Sequence, residues 1–398
     1  MEVLMNRRAP EFVFDAYSRE VAIDPHPLYR VMRDEHPVLW CESTQAWALS
    51  RYEDVLAALL DPQTFSSAKG NIVNDNPARA GRTLGTTDPP KHDQLRGLVN
   101  EAFARRTVSD FEAPMRKMAE RAIDELLGAK GPVDLRSGLA FPSSAAVLGE
   151  VLGVELTKQT SLADAFMVVL DEPLRLGADP ADDIPERAVA MGQVLGVVGE
   201  TIRARQSKPG RDVVSSLVQA GLTEEELTWI MFTFLGAGLE SSTAQFLLAV
   251  RSLALHPEAR ARLAENLELI PIAYEELVRF DCGPNRFHRT LTRDVEMHGK
   301  EMKEGESVLV MYGSANRDGR RFERPDELVI DRHPNPHLGF GRGPHFCLGA
   351  PLARLQARLL LEVLLTRAPD YRVHEDQLEW KVNPGFRGVK SLPVTLRD

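Results

Sequence analysis

One stretch constrains the fold more than any other. From position 223 to 255 apolar residues recur at helical spacing, opened by a capping-box pair, Thr223 and Glu226, and closed by His256-Pro257. At a rise of about 1.5 Å per residue the stretch spans roughly 50 Å. A helix that long and that apolar is a central beam, and the rest of the chain must pack around it.

Shorter helices follow the same periodicity. They are predicted at 25–36, 52–60, 91–105, 111–127, 139–152 and 186–205, then at 257–266, 271–280 and 348–366. Paired strands are predicted at 38–41 and 46–49 around a polar turn, and a strand-rich patch between 289 and 311. Segment 66–90, rich in Gly, Asn, Pro and Thr, reads as a loop of the length that usually has a function. Segment 171–185 reads as a loop between helices. No repeat or linker divides the chain. One domain, 1–398, is expected, mainly α with small β-sheets, its β-rich parts at about 37–50 and 289–311.

Composition excludes several functions. Hydrophobic residues are 43% and charged residues 27%, a globular balance. The net charge of -10 argues against a nucleic-acid binder. The three cysteines, Cys41, Cys282 and Cys347, lie far apart and form neither a disulfide framework nor a zinc-finger spacing. The N-terminal residues lack the apolar core of a signal peptide, and no run reaches the ~18 apolar residues of a membrane helix. A cytoplasmic protein that contacts no membrane is expected.

The chemistry is concentrated in 340–349, FGRGPHFCLG. Three glycines and a proline force a tight loop that delivers Cys347 to the start of a helix. The helix dipole and free N–H groups there favour a thiolate, and Phe340 is placed to shield it. A sulfur that must bind a metal needs these conditions.

This loop resembles the cysteine loop of the cytochrome P-450 family, FGxGxHxCxG, at every fixed position. Glu276-Leu277-Val278-Arg279 is similar to the family's ExxR pair, whose members share a helix face. The resemblance places a partner of that pair in the segment around Arg324-Pro325-Asp326 and leaves its identity open. On the long helix, Gly236-Ala237-Gly238-Leu239-Glu240-Ser241-Ser242 resembles the oxygen-activation motif, with serine where threonine is commonest. Its two glycines imply either close approach to the backbone or a kink.

The resemblance covers nearly the whole chain. It implies a triangular prism with the long helix crossing the haem, and haem b with iron ligated by Cys347. It implies Glu240 and Ser241 as the catalytic acid and alcohol. It implies propionate contacts from His92, Arg96, Arg289 and His345, with Phe340, Gly349 and Ala237 also against the cofactor. The family's lining regions place the substrate wall at Ile72, Val73, Phe166, Val169, Leu170, Leu235, Phe287 and Phe386. Arg79 and Arg82 in the long loop are candidates to meet a carboxylate.

The implied reaction is insertion of one atom of O2 into a small organic substrate, by hydroxylation or oxidative O-demethylation. Weak similarity in 313–318 and 385–393 points to an aromatic compound. No flavin or iron–sulfur signature is present, so electrons are expected from a ferredoxin and its NAD(P)H-dependent reductase. Arg96, Arg105, Arg106, Arg342, Arg354 and Arg358 are the expected positive docking patch. Two alternatives stand beside this reading: a peroxygenase using hydrogen peroxide, and a non-catalytic haem-binding sensor or recruiting protein.

Overall fold

The computed structural model describes residues 12–73, 75, 77–154, 165, 168, 185–210 and 212–397. The first elements are set by proline. Helix α1 (His26–Glu35) has Pro27 in its first turn, where a missing N–H costs nothing, and Pro37 follows its end. Strands β1 (Val38–Cys41) and β2 (Ala46–Leu49) pair antiparallel with Trp40 opposite Trp47. Helix α2 (Tyr52–Leu60) ends before Pro62. The two-residue strand β3 (Phe65–Ser66) was not foreseen.

The predicted helix 91–105 is divided. Helix α3 (Lys91–Val99) passes into a tighter turn, Asn100–Phe103, that brings Phe103 into the core, and a short helix Arg105–Ser109 follows. Helix α4 (Glu112–Leu127) agrees with expectation. Helix α5 (Phe141–Leu152) is preceded by a π-helical turn, Arg136–Ala140, that helical periodicity does not reveal. Helix α6 (Pro185–Ser207) matches, whereas α7 (Val213–Gln219) is new. The expected loop 171–185 lies outside the described residues but for Pro185.

The beam is α8 (Glu224–Leu255). Both capping-box bonds are present: Thr223 Oγ1 accepts from the Glu226 N–H at 3.2 Å, and a Glu226 carboxylate oxygen accepts from the Thr223 N–H at 3.1 Å. Three glutamates, Glu224 to Glu226, meet the positive end of the helix dipole. The helix is continuous through Gly236 and Gly238. Gly238 serves packing: a Cβ there would lie 2.8 Å from a Leu148 methyl on α5.

Helix α9 (Ile270–Phe280) leads into β4 (Phe287–Leu291), and β5 (Ser307–Val310) follows. One five-stranded sheet has the order β1-β2-β5-β4-β3, with β2 and β5 parallel. It joins the two β-rich regions expected from sequence. Helix α10 (Ala350–Arg367) follows the cysteine loop and packs on α4. One core cluster takes the first half of α8, from Leu227 to Leu239, and a second its C-terminal part, from Phe246 to Leu253. Among the described residues no helix is long and apolar enough to cross a membrane.

Candidate active site

The cysteine loop is shaped by two positive-φ glycines, Gly341 (φ 70°) and Gly343 (φ 68°). A Cβ at Gly343 would stand 2.5 Å from the carbonyl oxygen of Leu59, so this loop passes against the end of α2 where only glycine fits. The Cys347 N–H donates to Phe340 O at 2.8 Å, closing the loop on itself. Arg96 of α3 donates to the carbonyls of Pro344 (3.0 Å) and Phe346 (2.8 Å). The cysteine is thus fixed from both sides, three residues before α10 begins. Phe340 is itself capped by the Arg354 guanidinium, 4.5 Å from the ring.

Two opposing effects act on the Cys347 sulfur. Burial pushes the Cys347 thiol up, and this outweighs the lowering by the N–H groups of Gly349 and Ala350 and by Arg96 and Arg354. The N–H groups are where sequence placed them, but desolvation is the larger effect. A sulfur in this setting ionises when a cation binds it. Cys41 and Cys282 are buried elsewhere, in the sheet-side clusters.

Three elements converge near the loop with polar groups in excess. His92 and His345 meet edge-to-face at 4.5 Å, and the Nε2 atoms of both are buried without a hydrogen-bond partner among the described residues. Burial lowers the His345 pKa, which Asp88, 3.9 Å away, only partly offsets. Arg289 on β4 is buried, and its Nη1 donates to the carbonyl of His288 at 2.7 Å. Unsatisfied imidazoles beside a buried arginine suit an acidic ligand such as a carboxylate.

Opposite conditions hold on α8. Half of the helix is buried, and on its other side Ala237 is exposed and Thr233, Gly236 and Ser241 are half-buried. Ser241 donates its hydroxyl to Ala237 O, one turn back. Glu240 is turned elsewhere. Its carboxylate takes Arg136 at 3.1 Å and Lys381 at 2.7 Å, all three side chains being 10% exposed or less. Neither partner was foreseen, and no local signal marks them.

The ExxR pair is fully buried. Arg279 binds both carboxylate oxygens of Glu276, at 2.7 and 2.8 Å. The open partner is resolved: Arg332 Nε donates to Glu276 at 2.9 Å, while Pro325 and Glu327 supply carbonyls to Arg279. The pair locks the segment leading into the cysteine loop.

The described residues of the expected substrate wall separate into three groups. Phe287 and Phe386 meet at 5.8 Å, with Tyr312 against Phe287 at 5.1 Å. Ile72 is half-buried in the long loop. Val73 and Leu235 sit in hydrophobic core clusters, Leu235 fully buried and nearly opposite Ala237 around the helix. Their place is packing, not a wall. Phe166, Val169 and Leu170 lie outside the described residues. Of the six patch arginines, Arg106, Arg354 and Arg358 are ion-paired to Glu101, Glu275 and Glu112, so the patch is weaker than its composition suggests.

A cysteine fixed in a tight loop, unsatisfied imidazoles beside it and an opened face on α8 are the parts of a haem-thiolate site. The described residues fit that cofactor. The chain belongs to the cytochrome P-450 family. The family model, Cytochrome P450, matches residues 191–384. The chain is 38% identical to nocardicin C N-oxygenase of Nocardia uniformis over 94% of its length and 96% of the relative's. It is 36% identical to the mycinamicin IV hydroxylase/epoxidase of Micromonospora griseorubida, covering 88% and 89%. A Bacillus megaterium member crystallised with testosterone superposes with a TM-score of 0.85 at 30% identity, covering 96% of this chain and all of the other. The protein is a haem-thiolate monooxygenase of bacterial type.

Proposed function

We propose that the enzyme hydroxylates or oxidatively O-demethylates a small organic substrate with an aromatic part, with electrons delivered by a separate ferredoxin and NAD(P)H-dependent reductase. The observation that carries the substrate reading is the Phe287–Phe386 edge-to-face pair, which offers a ring-sized aromatic wall. The curated relatives are named for hydroxylation, epoxidation and N-oxygenation, so the substrate varies while oxygen transfer is shared.

When bound, the haem supplies O2 reduction and oxygen transfer. The residues do the rest. Cys347 gives its sulfur to the iron, with the N–H groups of Gly349 and Ala350 steadying the charge. His92, Arg96, Arg289 and His345 hold the two carboxylates of the cofactor, which satisfies the imidazole nitrogens left over. Ala237, exposed on the opened face of α8, would leave room for the cofactor. Ser241 holds its proton toward Ala237 O and presents its oxygen to the open face. Glu240 is the nearest carboxylate along the helix, and its role as acid depends on release from Arg136 or Lys381.

The test is the reduced carbon-monoxide spectrum, then product formation with a ferredoxin and reductase on a panel of methoxyarenes and alkylarenes. A thiolate-type Soret band lost in Cys347→Ala, with product dependent on NAD(P)H, supports the proposal. Product with peroxide alone would point to a peroxygenase. Spin-shift binding of alkanes equal to that of their aryl analogues would remove the aromatic preference.

A further inference from the structure

The long loop carries a buried charge that the reaction does not use. Arg79 has a side chain only 9% exposed. Its Nη1 is paired with Asp75 at 2.5 Å, and its Nε donates to Thr233 Oγ1 at 3.3 Å. Both partners are held in turn. Asp75 accepts from the Asn71 N–H at 3.0 Å, and Thr233 donates to Trp229 O at 2.8 Å. Nη2, with its two N–H donors, has no partner among the described residues.

A buried arginine is a costly way to fasten a loop. Desolvation takes back much of what its ion pair provides, and an apolar side chain of similar volume fills the same space without that cost. Three facts give it another use. The guanidinium is aimed by two fixed partners. It retains a donor edge. It also reaches the helix row that faces the site: Thr233, Ala237 and Ser241 stand at i, i+4 and i+8, one ridge of α8. Along this ridge Thr233 is about 12 Å from Ser241.

We propose that Arg79 is a specificity-determining residue that reads an oxygen acceptor on the substrate, about 12 Å along the long helix from the point of oxidation. This rests on the haem-thiolate reading of the site. Arginine only donates, so the complementary group is an acceptor, a carboxylate or a carbonyl. Asp75 already balances the charge, so the acceptor need not be ionised. Thr233 Oγ1 fixes the plane of the fork. The preferred substrate therefore has a polar acceptor end at Arg79 and its reacting carbon at the Ser241 end.

A ruler series tests this without turnover. Imidazoles carry an alkyl tether of varied length ending in a carboxylate, a methyl ester or a methyl group. The ring nitrogen anchors each one at the haem, and the Soret shift reports its Kd. In the wild type, tethers that reach Arg79 bind roughly tenfold or more tightly with an acceptor end than with a methyl end. In Arg79→Met that ratio falls to near one, while the methyl-ended ligand binds both proteins alike. Acid and ester arms show whether charge matters. A ratio near one at every length in the wild type overturns the proposal. So does a ratio that survives in Arg79→Met, or equal weakening of all three ligands, which would make Arg79 a loop prop. No Soret shift with any imidazole would instead count against the haem-thiolate reading beneath it.

Discussion

Glu276→Gln is the most informative single change in the scaffold. Glu276 is fully buried and collects five donors: two from Arg279, and one each from Arg332, Asn335 and the Val329 N–H. The amide keeps the shape but loses the charge, and its NH2 group faces donors. Arg279 retains carbonyl acceptors at Asn316, Pro325 and Glu327, so the damage is electrostatic more than a loss of contacts. Breaking a buried pair by removing one partner costs about 3–5 kcal/mol. Unfolding entropy is about 2.1 cal/mol/K per residue, roughly 0.8 kcal/mol/K for this chain. The expected fall in thermal midpoint is therefore about 4–6 °C. Because Arg332 and Val329 lie on the segment entering the cysteine loop, the fraction of thiolate-type carbon-monoxide complex falls as well. Circular dichroism melting and the reduced difference spectrum, measured on one preparation, check both. A variant with unchanged midpoint and a full thiolate band would refute the view that this pair clamps the loop.

Three further outcomes follow from the same geometry. Gly343→Ala meets the Leu59 carbonyl at 2.5 Å with φ at 68°, and haem retention should drop sharply while the far-ultraviolet spectrum changes little. Ser241→Ala should keep NADPH oxidation but lower product per electron several-fold, and Ser241→Thr should raise that yield by at most about threefold, the number of rotamers the methyl restricts; the readout is product against cofactor consumed. For pH, burial pushes Glu275 up but its bonds to Arg354 and His337 prevail and hold it at about 2. A depressed carboxylate stabilises fully above its unfolded value of roughly 4.3. That stability is lost as pH falls toward about 2. The midpoint gap between wild type and Glu275→Gln should thus be widest near neutrality and close in acid, and a gap constant with pH would contradict the assignment.

What sequence disclosed was what short spacing encodes. The cysteine loop is local, and its glycines and cysteine carry their geometry within ten residues. The long helix announced itself by period and cap, and strands 38–41 and 46–49 by alternation. What failed needed distance or a competing force. Arg136 and Lys381 reach Glu240 from 104 and 141 residues away, and nothing near them marks the pairing. Leu235 looked like wall because it lies on the right helix, but a two-residue step from Ala237 turns it into the core. The helix N–H groups beside Cys347 are legible in sequence, whereas the burial that opposes them is not. Arg354 and Arg358 are offset by glutamates of other helices, Glu275 and Glu112, whereas Arg106 pairs with Glu101 only five residues back.

Glu240 and Ser241 are neighbours in sequence but not in direction. One residue turns an α-helix by about 100°. Ser241 therefore faces the opened side, while Glu240 points into a cluster that binds α8 to Arg136 before α5 and to Lys381 near the C-terminus. Lys381 lies five residues before Phe386, and its backbone N–H is bonded to Gly388 O at 3.0 Å, just beyond it. The segment that carries Phe386 is thus tied to one of the two cations that hold Glu240. In the proposed function, the aromatic pair and the acid are therefore neighbours through the backbone, since Lys381, one of the two cations on Glu240, is bonded to the segment that carries Phe386.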